Sequence, residues 1–251
     1  MQYPLEAYLT SSIKAEYDSS RPCFVIYQDS VTDIFGAAPK LTLILAHKKP
    51  LFHEAGVFFP GKDEDRLFVT SNVLRPFQSD VKRIQISLLV RNRSTDSWER
   101  SDVAGGCAVM PNGAVNCPDM QSLLICAQGD LHSEGGLIEM NAHSPYDTRL
   151  VLTDYHGRRF NSVNDVVYAK DGSIWFTDPN YGFEQGFRPS PELPNQIYRY
   201  DDSIHDVRAM ADDLLKPNGL CFSPDERTLY VTDTDWIHGD GSTSQTRVSA
   251  M

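Results

Sequence analysis

"NDVVYAKDGSIWFTDP", residues 164–179, runs from an apolar stretch through Ala-Lys-Asp-Gly into a second apolar stretch that closes on Thr-Asp-Pro. Two β-type runs on either side of a Gly-containing turn read as a hairpin. The same shape occurs as "EAGVFFPGKDEDRLFVTS" (54–71), "NGAVNCPDMQSLLICAQG" (112–129) and "NGLCFSPDERTLYVTDT" (218–234). The second strands begin at Leu67, Leu123, Ile174 and Leu229, with separations of 56, 51 and 55 residues. A near-constant period of this size with several short strands per repeat is the mark of propeller blades. Between the hairpins, "RIQISLLV" (83–90), "GGLIEMNA" (135–142) and "NQIYRYD" (195–201) would supply outer strands. The expected fold is therefore an all-β propeller, one domain over residues 1–237, with N-terminal strands in "CFVIY" (23–27) and "LTLILA" (41–46). Residues 238–251 are polar and without strand alternation, and are expected to fray.

Composition narrows the function classes. The chain has 251 residues, 41% hydrophobic and 23% charged, as in an ordinary globular protein. No apolar run approaches the roughly 20 residues of a membrane span, and the first residues lack a basic-then-apolar leader, so a cytoplasmic protein without a membrane partner is expected. A formal charge of -11 argues against nucleic-acid binding and suits cations or neutral small molecules. The five cysteines have no C-x-x-C spacing; Cys126 and Cys221 lie in apolar runs and read as buried thiols. A serine-hydrolase elbow, a dinucleotide fingerprint and a P-loop are each missing from the sequence.

Aligned on the second strands, Glu54, Asn112, Asn164 and Asn218 fall 13, 11, 10 and 11 residues ahead of them. The innermost strand of each blade lines the central channel, so equivalent positions direct their oxygens towards one place. One Glu with several Asn, joined by Asp233, is an oxygen-rich set for a hard cation such as Ca²⁺, and Mn²⁺ or Mg²⁺ would need only small changes of geometry. Asn112 and Asn218 are each followed by Gly, and a plain turn reads equally well there. Glu54, a carboxylate ahead of an apolar strand, needs a partner.

"RRFNSVNDVVYAKDGSIWFTDPNYG" (158–182) and "KPNGLCFSPDERTLYVTDT" (216–234), with "ICAQGD" and "GGLIEMN", resemble the senescence marker protein, gluconolactonase and luciferin-regenerating family. The likeness is to its fungal lactonohydrolases above all and covers roughly residues 50–235. The resemblance implies a six-bladed propeller that binds calcium and hydrolyses a small-molecule lactone. Carried over by motif, it implies Glu54, Asn164, Asn218 and Asp233 as metal ligands, with Asp233 also taking a proton from the attacking water. It places Asn112 at a substrate contact. Tyr181, Arg159 and Gln128 are further candidates for substrate binding near the cavity mouth, and solvated charge is an equal reading of Arg159. Six blades need more chain than four hairpins provide, so an incomplete ring is expected. The rival function is a non-catalytic propeller that acts as a binding scaffold.

Overall fold

The computed structural model describes residues 4–6, 28–36, 39–75, 81–247 and 249–251. They belong to two compact units, Met1–Lys48 and Lys49–Met251. In the first, β1 (Pro4–Glu6) pairs antiparallel with β2 (Lys40–Thr42), and a 3-10 turn at Asp29–Val31 leads into α1 (Thr32–Phe35). The expected strand "CFVIY" lies outside the described residues, and only the start of "LTLILA" is extended in a strand.

The second unit is a succession of antiparallel sheets in which each strand pairs with the next in the chain. The first sheet is β3 (Glu54–Phe59), β4 (Glu64–Thr70), β5 (Ile86–Asn92) and β6 (Ser97–Val103). The second is β7 (Pro111–Asn116), β8 (Ser122–Ala127), β9 (Gly136–Asn141) and β10 (Thr148–Leu152). A short hairpin, β11 (Asp154–Tyr155) with β12 (Arg158–Arg159), precedes the third sheet. That sheet is β13 (Val166–Tyr168), β14 (Ile174–Asp178), β15 (Gln196–Asp201) and β16 (Asp206–Ala211), with α2 (Tyr181–Glu184) after β14. The fourth is the pair β17 (Pro217–Phe222) and β18 (Leu229–Asp233). Consecutive four-stranded meanders are the blades of the propeller class that the repeat predicts. The four hairpins read from the sequence are the first two strands of each sheet, and the three intervening runs hold β5, β9 and β15.

Packing explains why the second strands are so apolar. In β8, Leu123, Ile125 and Ala127 face a core shared with Phe68, Leu88 and Met140, whereas Leu124 and Cys126 face a second core with Phe160, Val166 and Phe176. Every residue of β8 is buried, so the run carries no polar face. In the second core the Phe160, Phe176 and Tyr198 rings lie 5.2–5.3 Å apart in edge-on and stacked pairs. Each such side chain stabilises the unit by roughly 1.5–3 kcal/mol through burial. The fourth strands follow another logic: in β6 ("SWERSDV") only Val103 is buried, because it forms the sheet's outer edge. Cys221 is a correction of the same origin. It is exposed, and its sheet has only the two strands β17 and β18 among the described residues.

The first strands pack against one another, β3 on β7, β7 on β13 and β13 on β17, which sets the candidate positions side by side. After Ile237 the polar segment folds back: Asp233 and Ala250 exchange backbone hydrogen bonds at 2.8 Å, and the Gly239 N–H donates to Glu184 Oε2 at 2.6 Å. Among the described residues no helix is long and apolar enough to cross a membrane.

Arg188 ties the second sheet to the third. Only 3% exposed, its guanidinium donates to the carbonyls of Asn161 (2.8 Å), Phe160 (2.6 Å), Asp130 (3.1 Å) and Ser133 (3.0 Å). No other side chain offers so many donors in a fixed plane. Arg188→Met keeps the apolar stem and strands four carbonyls, so a loss of about 3 kcal/mol is expected in urea unfolding with an unchanged m value. Arg188→Lys should recover less than half of that.

Candidate functional site

Three of the four first strands carry a register break where the candidate residues stand. In β3 the regular register breaks between Glu54 and Val57, in β7 between Pro111 and Ala114, and in β17 between Pro217 and Leu220. Asn112-Gly113 and Asn218-Gly219 are therefore bulged strand residues and not turns, which removes the turn reading of both. Glu54, Asn112 and Asn218 stand at these breaks, and Asn164 stands just ahead of β13, where its N–H donates to the Thr177 carbonyl while the Thr177 N–H donates to the Asp165 carbonyl, so that two residues oppose one. The residue that follows is Ala55, Gly113, Asp165 or Gly219. Ala55 takes a left-handed φ of 55°, a conformation that a residue with a Cβ adopts at a cost.

Hydrogen bonds knit these positions across the sheets. The Thr70 hydroxyl donates to the Asn112 carbonyl at 3.0 Å, and the Thr177 hydroxyl to the Asn218 carbonyl at 2.7 Å. Between the second and third sheets the Gly113 N–H donates directly to the Asn164 carbonyl at 2.8 Å. The backbone of Asn164 is thus held, yet its side-chain Oδ1 finds no partner among the described residues although Asn164 is only 3% exposed. A buried acceptor left open in this way calls for a donor or a cation.

The acidic groups divide by environment. Glu54 is one-quarter exposed, with His53 Nδ1 3.5 Å from its Oε1. Burial, and then the nearby Asp165, push its pKa up to about 7. Burial likewise raises Asp165, against a hydrogen bond that its Oδ2 accepts from the Leu220 N–H at 2.9 Å. Asp233 is placed differently. Its Oδ2 accepts from the Leu215 N–H at 2.9 Å and its Oδ1 from the Lys216 N–H at 2.8 Å. Asp178, its equivalent in the third sheet, does the same with the N–H groups of Asn161 and Ser162, both at 2.8 Å. In each case the carboxylate pins the loop that enters the first strand just ahead of Asn164 or Asn218. This anchoring accounts for an Asp at the end of either strand without any ligand role.

The remaining candidates are spread out. Tyr181 is buried, its hydroxyl bonded to Thr234 Oγ1, and the Asn218 Nδ2 reaches the same oxygen at 3.4 Å. Tyr181 thus helps to set the Asn218 carboxamide. Lys216, absent from the sequence reading, is buried over the Tyr181 ring and paired with Glu184 at 2.5 Å. Asn112 is buried beside Thr70, and Gln128 is tied to the Met110 carbonyl at 3.3 Å. Arg159 is half-exposed and faces Glu134 at 3.5 Å, the ordinary arrangement of a surface charge. Among the described residues no group of three or more His, Cys, Asp or Glu side chains is disposed to hold a metal ion. A cation here would rely on amide oxygens beside Glu54 and Asp165, which suits a hard ion and not zinc. The amides of Asn164 and Asn218 with the Glu54 carboxylate fit that description.

Comparison with known proteins follows the same lines. The family model described as "SMP-30/Gluconolactonase/LRE-like region" matches residues 79–236. The lactonohydrolase oryL of Aspergillus oryzae is 41% identical over 93 residues, 35% of this chain and 20% of that one. A gluconolactonase of Zymomonas mobilis is 38% identical over 90 residues, 34% of this chain and 24% of that one. The chain thus matches about a fifth to a quarter of the length of these curated relatives. A solved structure assigned to the gluconolactonase family superposes with a TM-score of 0.50 at 24% identity, over 66% of this chain and 56% of that one, and shares the fold.

Two pairs of substitutions test the geometry. Asp178→Asn and Asp233→Asn each turn an amide donor or a single carbonyl towards two backbone N–H groups, and each should lower stability by about 1–3 kcal/mol in denaturant unfolding. The loss should be greater for the fully buried Asp178; an unchanged midpoint for either would show that its loop holds without the carboxylate. A Cβ on Gly113 would strike the Asn164 carbonyl and come within 2.8 Å of Asp165 Oδ1, whereas one on Gly219 would meet nothing closer than 3.5 Å. Gly113→Ala should cost about 1–3 kcal/mol and Gly219→Ala well under 1 kcal/mol by the same measurement.

Proposed function

The chain belongs to the SMP-30/gluconolactonase/LRE-like family, and from that premise we propose that it takes part in the hydrolysis of a small-molecule lactone with the help of a divalent cation, calcium foremost. The observation that carries the reading is Asn164: a buried side-chain oxygen without a partner, between equivalent amides and next to two carboxylates. The similarity to proteins named lactonohydrolase and gluconolactonase supports the reaction class.

In this reading Glu54, Asn164 and Asn218 hold the cation, and Asn112 contacts the substrate beside them. When bound, the cation polarises the ester carbonyl and stabilises the charge that grows on its oxygen. Glu54 contributes negative charge and, in its ionised form, can accept the proton of the water that adds to the carbonyl. Asp233 holds the Leu215–Lys216 loop, and through it the approach of Asn218 to the site. Tyr181 and Thr234 orient the Asn218 carboxamide so that its oxygen stays free. The neutral amides leave the set less charged than a cage of carboxylates, which favours moderate affinity and exchange of ligands on the cation.

The test is a pH-stat assay of the purified chain against aldono- and aromatic lactones, with EDTA, with calcium restored, and with Glu54→Gln and Asn164→Ala. Hydrolysis that EDTA abolishes and calcium restores is expected, with each substitution lowering kcat/KM by about 100-fold or more. Hydrolysis indifferent to EDTA would remove the cation from the mechanism. A folded, calcium-binding chain without hydrolysis would favour the scaffold reading.

A further inference from the structure

We propose that Asp165 is a positioning residue whose carboxylate, lodged between the first strands of the second and fourth sheets, holds Asn164 in place between Asn112 and Asn218. The inference rests on the function proposed above only for its effect on cation binding.

The first support is the exception that Asp165 makes to the repeat. In the other three hairpins the residue after the candidate ligand is Ala55, Gly113 or Gly219, so the bulge itself asks only for something small. An acidic side chain at that point is half-buried, where burial disfavours its charge, and it adds to the cost of charging Glu54. Nothing in the local backbone calls for that cost, since glycine or alanine serves at the equivalent sites.

The second support is where the carboxylate goes. Oδ2 accepts the Leu220 N–H at 2.9 Å, across the seam to β17. Oδ1 lies 2.8 Å from the point where a Cβ on Gly113 would stand, across the opposite seam to β7, and Oδ2 lies 3.7 Å from the corresponding point on Gly219. The missing side chains on both flanks make the space that the carboxylate fills. The backbone of Asp165 adds to the same connection. Its N–H donates to the Thr177 hydroxyl at 3.1 Å, which donates in turn to the Asn218 carbonyl at 2.7 Å. Asn164 immediately before it is bonded to Gly113 at 2.8 Å. Asn164 and Asp165 together thus join the strands that bear Asn112 and Asn218, Asn164 by its carbonyl and Asp165 by its carboxylate. Groups of this kind, which orient ligands without being ligands, matter to a metal site nearly as much as the ligands do.

Asp165→Gly copies the residue found in the second and fourth sheets, and Asp165→Asn preserves the shape and one acceptor. The ¹⁵N-labelled chain without metal provides the primary readout. In Asp165→Gly the Leu220 amide should lose hydrogen-exchange protection by 10-fold or more, and the Asn164 side-chain amide signals should shift or broaden. In Asp165→Asn both should return most of the way to the wild type. Calorimetric titration with calcium chloride is the second readout, with affinity about 10- to 100-fold weaker in Asp165→Gly and less affected in Asp165→Asn. Unchanged Leu220 protection and Asn164 signals in Asp165→Gly would overturn the proposal, whatever happens to calcium. If that variant does not fold, unchanged signals in Asp165→Ala at a wild-type unfolding midpoint would overturn it equally. Failure of the wild type to bind calcium would instead count against the cation reading, while the amide signals still judge Asp165.

Discussion

Neighbouring first strands approach to within a single hydrogen bond, Gly113 N–H to Asn164 carbonyl at 2.8 Å, and the polar ring depends on that closeness. Strands of different sheets have no ladder to share, so their inner ends must be tied by separate groups or spread apart. The chain supplies those ties from three sources: threonine hydroxyls at the ends of second strands, backbone N–H groups at the bulges, and one carboxylate. Each tie fixes a carbonyl or N–H next to Glu54, Asn112, Asn164 or Asn218 while leaving side-chain oxygens available. The bonds across the seams thus end on the backbone of the asparagines, and the asparagine side chains take no part in them.

The aspartates show how one residue type serves different purposes within a few ångströms. Asp178 and Asp233 close the second strands of their sheets and take two backbone N–H groups each; at Asp178 these are buried donors that would otherwise lack acceptors. The corresponding residues of the first two sheets are Ser71 and Ala127, and neither of them can bind two N–H groups through a charged fork. The anchor is used ahead of Asn164, where residues 160–163 are all buried, and again ahead of Asn218, where the loop is largely exposed. Asp165 carries the same functional group in a bulge and spans a seam. Position in the repeat separates these roles; residue type does not.

The repeat was legible because burial on both faces imposes long apolar second strands such as "SLLICA", and these stand out at a fixed period. The fourth strands were not, because an outer edge is solvated and β6 or β16 can be as polar as a loop. The candidate ring was legible at Glu54 and the three asparagines, whose spacing survives from hairpin to hairpin. An anchoring aspartate and a ligand aspartate look alike at the end of "LYVTD", and the hydrogen bonds of Asp233 fit the anchor without deciding the ligand role. Asn-Gly was ambiguous for a related reason: glycine marks a turn and a close backbone approach equally well, and only the neighbour across the seam decides between them. That neighbour is far away in sequence. Cys221 misled because apolar periodicity reports a strand's local pattern and not whether another strand covers it.

The position occupied by Thr70, Thr177 and Thr232 in three sheets holds Cys126 in the second, and this substitution accounts for the asymmetry of the ring. The Thr70 and Thr177 hydroxyls reach across to the next sheet's asparagine carbonyl, and at Thr177 the hydroxyl also accepts the Asp165 N–H, so two bonds and an oxygen separate the strands. A thiol is a weak donor, and Cys126 instead packs into the apolar core beside Val163 and Val166. Without a hydroxyl to bridge the gap, the Gly113 N–H must meet the Asn164 carbonyl directly, and the strands close by the width of the missing group. A Cβ on Gly113 would accordingly strike the Asn164 carbonyl. At this same seam the Asn164 side-chain oxygen is buried and no donor of the described residues reaches it. The most demanding acceptor of the ring thus lies at the one seam where an apolar thiol replaces a threonine.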